Sequence, residues 1–424
     1  GIIQGLPGMS KYVLKDFPDQ SALLFDYQSA RDRDIPQVNA HLHTPHSFSF
    51  FKSIPGIFEQ ALKENVRVLG INDFFLADGF REFYEEGLKS RIFPMFNIEI
   101  VGLMLKEQYD RFRINDPVNP GRTYLSGKGL DYPFHLDESL ACRLQNASFE
   151  IQLYTKEIIE KAGKILQEVA PGLTLKYSEV KRIFAREFVT ERHISRAIRT
   201  LIFDKFPDAS DRKKILMKLC EMQECTADMS DYACVENMIR THFLKSGGRA
   251  FVAEESSAFL PVSEALQIIL SAGGIPCYSV LLDDDKGRCT EYEANKQILL
   301  NELLAHNIQC IEFIPSRNHP DILKDYARFF RKNDFLVLFG TAHSTPEQKP
   351  LRVCTRDGEY LDEELTGIAI DGASIIAAHQ YLRARKERGY VGPEGIPQKD
   401  RINEFIALGK AVIHKFISND PIIK

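Results

Sequence analysis

The sequence predicts an α/β fold in which parallel strands are covered by helices. Two observations carry this. Short apolar segments rich in Val, Ile and Phe alternate with helical patterns, first around 54–102 and again around 260–340. The alternation is interrupted between about 105 and 245, where helical patterns dominate. A β-α-β-α rhythm implies parallel strands with helices outside, as a barrel or as a doubly wound sheet.

Taken in order, PGIFEQALKEN reads as a helix with Pro55 suited to its first turn. It feeds VRVLGIND, a buried strand (66–73). The helical stretch FREFYEEGLKS and the strand IFPMFNIEIVGL follow. RINDPVNPGRTYLSGKGLDYP is rich in Gly, Pro and Asn and reads as a loop. Helical patterns come next: a long one near 148–168, then SEVKRIFAREF, TERHISRAIRTLI, DRKKILMKLCEM and DYACVENMIRTHFLK. The alternation resumes with PVSEALQIILSAGG, a helix closed by glycines. Strand IPCYSVLL, helix YEANKQILLNELLAHN, strand IQCIEFIP, helix DILKDYARFFRKND and strand FLVLFG complete it. GASIIAAHQYLRARKERG and KDRINEFIALGKAVIHKFI add helices at the end. The expected organisation is a discontinuous α/β domain (1–105 and 240–350), a mainly helical insertion (106–239) and a helical C-terminal extension (351–424).

Composition narrows the functional classes. The 424 residues are 44% hydrophobic and 27% charged, ordinary values for a globular protein. With 59 acidic and 54 basic residues the net charge is −5, which argues against a basic nucleic-acid arm and against an acidic disordered chain. No apolar run is long enough to span a membrane. The opening GIIQGLPGMSKYVLKDFPDQ lacks the basic start and apolar core of a secretory signal. Of eight cysteines, Cys277 and Cys310 sit in apolar runs and read as small buried hydrophobes. No CxxC pair occurs, so a cytoplasmic protein without disulfides is expected.

Chemistry concentrates at strand ends. In VNAHLHTPHSFS, His41 and His43 alternate by two, so a strand aims both imidazoles from one face, a geometry that chelates a divalent ion. Asp73 ends its strand, and Glu99 lies inside an apolar one, where a carboxylate is costly unless paired or metal-bound. Glu312 repeats the pattern, followed by Arg317 and Asn318, candidates for contacting a phosphate or carboxylate. His343 follows strand FLVLFG and is the positional partner of the first pair. In the glycine-rich loop, Arg122 and Lys128 are candidate phosphate contacts. Arg192 and His193 lie on a helix whose basic face is either simply solvated or a lid gripping an anionic substrate.

These segments resemble a known family. HLHTPHS, the strand ending IND, IEI, GGIPCYS, IEFIPSRN and GTAHSTP are similar in order and spacing to the PHP (polymerase and histidinol phosphatase) superfamily, over roughly 38–102 and 240–345. VTERHISRAI resembles part of the helical domain carried inside the barrel by one phosphoesterase branch. The resemblance implies a distorted (βα)7 TIM-like barrel binding Zn, Mn or Fe at its strand ends and hydrolysing phosphate esters. It places His41 and His43 on the opening His pair and Glu99 on the bridging carboxylate. Phe74, Tyr124 and Leu281 stand where the family has metal-binding histidines. At the closing motif Ala342 replaces an Asp and Ser344 a His, unless a one-residue shift brings in His343. The implied site holds one or two ions on His41, His43, Glu99 and His343, with Asp73, Tyr124, His193 and His242 as candidate replacements.

The expected function is therefore a metal-dependent phosphoesterase acting on a small phosphorylated molecule, with Asp73, Glu99 and His343 as catalytic candidates. Two alternatives stay open: a degenerate barrel that binds a small anion or a partner without turnover, and a metal-dependent hydrolase of a non-phosphate bond. No membrane partner is expected, and a nucleic-acid polymer does not fit the charge.

Overall fold

Strand pairing in a computed structural model, which describes residues 10–33, 36–254 and 259–418, builds one mixed sheet. The initial residues read for a leader lie partly outside the described ones. The strands are β1 (Gln37–Leu42), β2 (Val66–Phe74), β3 (Phe93–Leu103), β4 (Arg122–Lys128), β5 (Leu260–Pro261), β6 (Ile275–Val280), β7 (Cys310–Phe313) and β8 (Leu336–Phe339). They pair in the order β1-β2-β3-β4-β6-β7-β8, with the short β5 beside β3. The ends nearly meet. The His41 carbonyl accepts from Thr341 and Ala342 backbone N–H groups at 3.1 and 2.9 Å, and His43 N donates to the Ala342 carbonyl at 2.8 Å. The result is an α/β barrel, the class expected from the alternation.

One strand departs from the parallel rule. β4 is antiparallel to both β3 and β6. It lies in the stretch read from sequence as loop. The segment RTYLSGK carries no apolar run because Ser126 and Lys128 are buried polar residues within the barrel. Apolar periodicity finds strands that face an apolar core, and this one faces a polar interior.

The outer helices form for local reasons. Ser53 caps Ile54–Lys63 by accepting from Gly56 N, with Pro55 in the first turn. Asn295 caps Lys296–Ala305, and His319 with Pro320 opens Pro320–Lys332. Helix Glu363–Ala384 is buried along most of its length, between β8, β1 and helix Ile402–Ile417. A Cβ at Gly409 would run into the Ser374 carbonyl, so only glycine allows these two helices to approach so closely.

Helices Glu138–Val169, Tyr177–Phe184, Glu191–Lys205, Ala209–Cys220 and Tyr232–Ile239 fall between β4 and β5. They share an apolar cluster of their own, including Ile158, Ile194, Ile198, Leu216 and Val235, separate from the barrel's. Helix Glu138–Val169 joins the two clusters. Leu144 and Ala147 pack with the barrel, while Ile158, Ala162 and Leu166 pack with the helices. A π-helical turn, Arg240–Leu244, leads the chain back.

Candidate metal and anion site at the strand ends

β1 presents His41 from inside the barrel, and His43 follows just past its end. Each ring is fixed from behind. His41 Nδ1 lies 2.5 Å from Glu312 Oε1, so its N–H points at the carboxylate. His43 Nδ1 lies 3.1 Å from Ser47 Oγ, whose hydroxyl donates to Asp73 Oδ1 at 2.6 Å. These contacts favour a proton on Nδ1 in each ring and turn both Nε2 atoms toward Glu99, with Asn72 Nδ2 3.4 Å from His41 Nε2. The two Nε2 atoms face each other at 3.2 Å.

Glu99 on β3 completes the group. Its Oε2 lies 2.9 Å from His43 Nε2 and 3.5 Å from His41 Nε2. That oxygen is buried, and the polar atoms nearest it are the two imidazole Nε2 atoms. Burial works against its charge, but a proton on the facing histidines offsets this and holds the Glu99 pKa below the usual carboxylate range. Among the described residues, His41, His43 and Glu99 are the group whose ligand atoms converge closely enough to hold a metal ion. With both rings protonated on Nδ1, the two Nε2 lone pairs and Glu99 Oε2 crowd one another, and a proton or a metal ion between them relieves the repulsion. Ligand atoms about 2.1 Å from a tetrahedral ion are about 3.4 Å apart, close to the spacing seen here.

Behind the triad the barrel interior is fully paired. Lys128 Nζ lies 2.5 Å from Glu312 Oε2, 2.9 Å from Asn72 Oδ1 and 3.1 Å from the Ala40 carbonyl. Lys128 and Glu312 are each only 1% exposed. Burial disfavours the Glu312 charge, and Lys128 and His41 override it, so its pKa is lowered.

In front of the triad, cations gather at the mouth. Arg317 follows β7 and reaches solvent there, yet enough protein surrounds it that lost hydration lowers its pKa against the pull of Glu99 and Tyr124. Its guanidinium makes no hydrogen bond or ion pair among the described residues. Arg192 is pushed down to about 10 by burial and by neighbouring Arg240 and Arg317, despite Glu347 and Glu191. Lys349 is lowered by burial, with Arg317 and Arg192 adding to it.

Several expected site residues lie elsewhere in role. His343 is near but does not join the triad. Its Nδ1 is 2.5 Å from Thr341 Oγ1 and its Nε2 is 2.9 Å from the Lys349 carbonyl, so both nitrogens are engaged. Positive φ angles at Ala342 and His343 turn the chain that way. Asp73 accepts from Thr44 N, Thr44 Oγ1 and Ser47 Oγ, which positions the loop holding His43. Lys128 belongs to the interior, not to a phosphate loop. Arg122 is paired with Asp116 and Glu254. Asn318 Nδ2 donates to the Leu281 carbonyl and ties two loops together. His193 is buried at the start of its helix, accepting from Thr190 N on Nδ1 at 3.0 Å. His242 is exposed on the π turn.

Sequence reasoning missed Arg240 and Lys349, which carry no motif and meet only in three dimensions. It also missed Ser47 as the support of His43, although Ser47 follows that histidine by four residues.

The fold has known counterparts. No family model matches the chain, and no curated protein matches its sequence. Among solved structures, one carrying the provisional name of metal-dependent phosphoesterase, from Bifidobacterium adolescentis, matches with a TM-score of 0.51 at 15% identity, over 79% of this chain and 96% of that one. An amidohydrolase from Chromobacterium violaceum, solved with bound sulfate and no metal, matches with a TM-score of 0.47 at 14% identity, over 75% and 93%. The first likeness supports the α/β barrel architecture.

Proposed function

We propose that the chain is a metal-dependent hydrolase whose substrate is a small phosphate ester. The carrying observation is the convergence of two imidazole nitrogens and a carboxylate oxygen on one buried point, facing Arg317, whose guanidinium is unpaired among the described residues. His41, His43 and Glu99 would hold the ion, and two nitrogens with one oxygen suit Zn, Mn or Fe. Such an ion supplies an activated water and offsets charge developing on the phosphate.

The protein's own residues do the rest. Glu312 and the Ser47–Asp73 pair hold the two imidazoles in the tautomer that faces the ion. Arg317, with nothing to pair with, takes the phosphate oxygens, and Arg192, Arg240 and Lys349 add favourable potential around it. The metal-dependent phosphoesterase named above shares this architecture, which is consistent with the reading. The helices between β4 and β5, which carry Arg192, serve as the lid over the mouth.

Turnover of chromogenic phosphomonoesters and phosphodiesters tests this. Manganese-loaded protein should hydrolyse at least one, lose activity in EDTA, and regain it when Mn is restored. His41→Ala should be inactive. Tight phosphate binding with no turnover of any ester would instead favour an anion-binding barrel.

A further inference from the structure

The Lys128 ammonium has three N–H groups, and all three are used. Its acceptors are the Ala40 carbonyl on β1, Asn72 Oδ1 on β2 and Glu312 Oε2 on β7. Three oxygens gathered from three strands around one buried point form a site for a hard cation. Here the protein fills it with its own. Glu312 has no oxygen to spare, because Oε1 is taken by His41 and Oε2 by Lys128.

Charge points the same way. The buried carboxylates of this layer are Asp73, Glu99 and Glu312, and the buried amine is Lys128. Three negative charges and one positive leave two negative, which one divalent ion neutralises. A second divalent ion would leave the buried layer positive by two, at a large desolvation cost.

We propose that Lys128 is a built-in cation that fills the place of a second metal ion and holds the site to one. This rests on the metal reading of His41, His43 and Glu99. The nest lies directly behind that triad, since Glu312 touches both Lys128 and His41. Lys128 acts as a positioning residue: it fixes Glu312, and Glu312 fixes the His41 ring.

The test counts ions rather than turnover. Mn(II) is the probe, because Cys277 and Cys310 are also buried in the barrel and thiolates would draw zinc. Wild-type protein is brought to equilibrium with Mn(II) by dialysis and read by elemental analysis and electron paramagnetic resonance. One equivalent with a mononuclear spectrum is expected. Two equivalents with a coupled spectrum overturn the proposal and leave the metal reading intact. No retained ion overturns the metal reading and the proposal with it. Lys128→Ala should bind a second, weaker equivalent on the freed oxygens, and adding Glu312→Gln should return the count to one. A folded Lys128→Ala protein that still binds only one ion overturns the proposal. Should that variant fail to fold, the wild-type count decides.

Discussion

The floor and the mouth of the barrel handle charge in opposite ways. On the floor, every charged group has a partner: Lys128 has three acceptors and Glu312 has two donors. At the mouth, Arg317 has none among the described residues, and Arg192 is crowded by Arg240 and Arg317. The floor is buried, and Arg317 at the mouth is exposed. Burying an unpaired charge costs far more than exposing one. A saturated floor therefore reads as scaffold, and an exposed, unpaired Arg317 at the mouth reads as a place where an anion arrives.

The largest effect should come from breaking the floor. Lys128→Met leaves Glu312 buried with only His41 beside it. Losing one partner of a buried pair costs about 3–5 kcal/mol. Urea denaturation in a chelating buffer at neutral pH should show a loss of that size. The double variant Lys128→Met with Glu312→Gln should recover much of it, because no buried charge is left alone. A single variant as stable as wild type would mean the floor is hydrated, and the contrast with the mouth would fail.

The mouth should respond differently. Arg317→Ala removes a guanidinium that holds nothing, so stability should stay within about 0.5 kcal/mol. Phosphate affinity should drop by about 10- to 100-fold, the scale of a charge-assisted hydrogen bond. Manganese content should not change, and Arg317→Lys should restore part of the affinity. Equal phosphate affinity in the alanine variant would remove Arg317 from the anion site.

The contrast also explains what could be read in advance. The helices and apolar strands were legible because the outer faces of the barrel follow regular apolar patterns. His41, His43 and Glu99 were legible because a polar residue in an apolar strand needs a reason. β4 was not, because its buried face is polar. Lys128 was misplaced for the same reason: glycines around a lysine look like a phosphate loop until the strand is seen. His343 follows a strand end as expected, but a left-handed turn at Ala342 and His343 swings it to Thr341 and Lys349, and no residue pattern announces that turn. The mouth arginines come from distant segments, and their meeting depends on how the helices dock.

The smallest effect concerns the seam between the two regions. Helix Glu191–Lys205 carries Arg192 at the mouth and His193 in the seam, where the His193 ring packs edge-on against Phe48 of the barrel at 5.0 Å. His193 Nδ1 accepts from Thr190 N, so this nitrogen must be unprotonated. Burial pushes the His193 pKa down to about 3, and the Arg196 charge pushes the same way. Below its ordinary value of 6.5, the unfolded chain takes up a proton that the folded chain refuses. The stabilisation is thus complete above pH 6.5 and is lost progressively as pH falls toward about 3. One proton corresponds to about 1.4 kcal/mol per pH unit at most. Buried His379, lowered to about 4, adds a second contribution of the same sign. His193→Asn should therefore reduce, but not abolish, the fall in urea midpoint between pH 6.5 and pH 5. It should also leave the manganese count unchanged, because the seam supports the arginines of the mouth and not the His41, His43 and Glu99 group. An unchanged pH slope would mean that His193 is protonated in the folded protein, and that the helix start is held in some other way than through its ring.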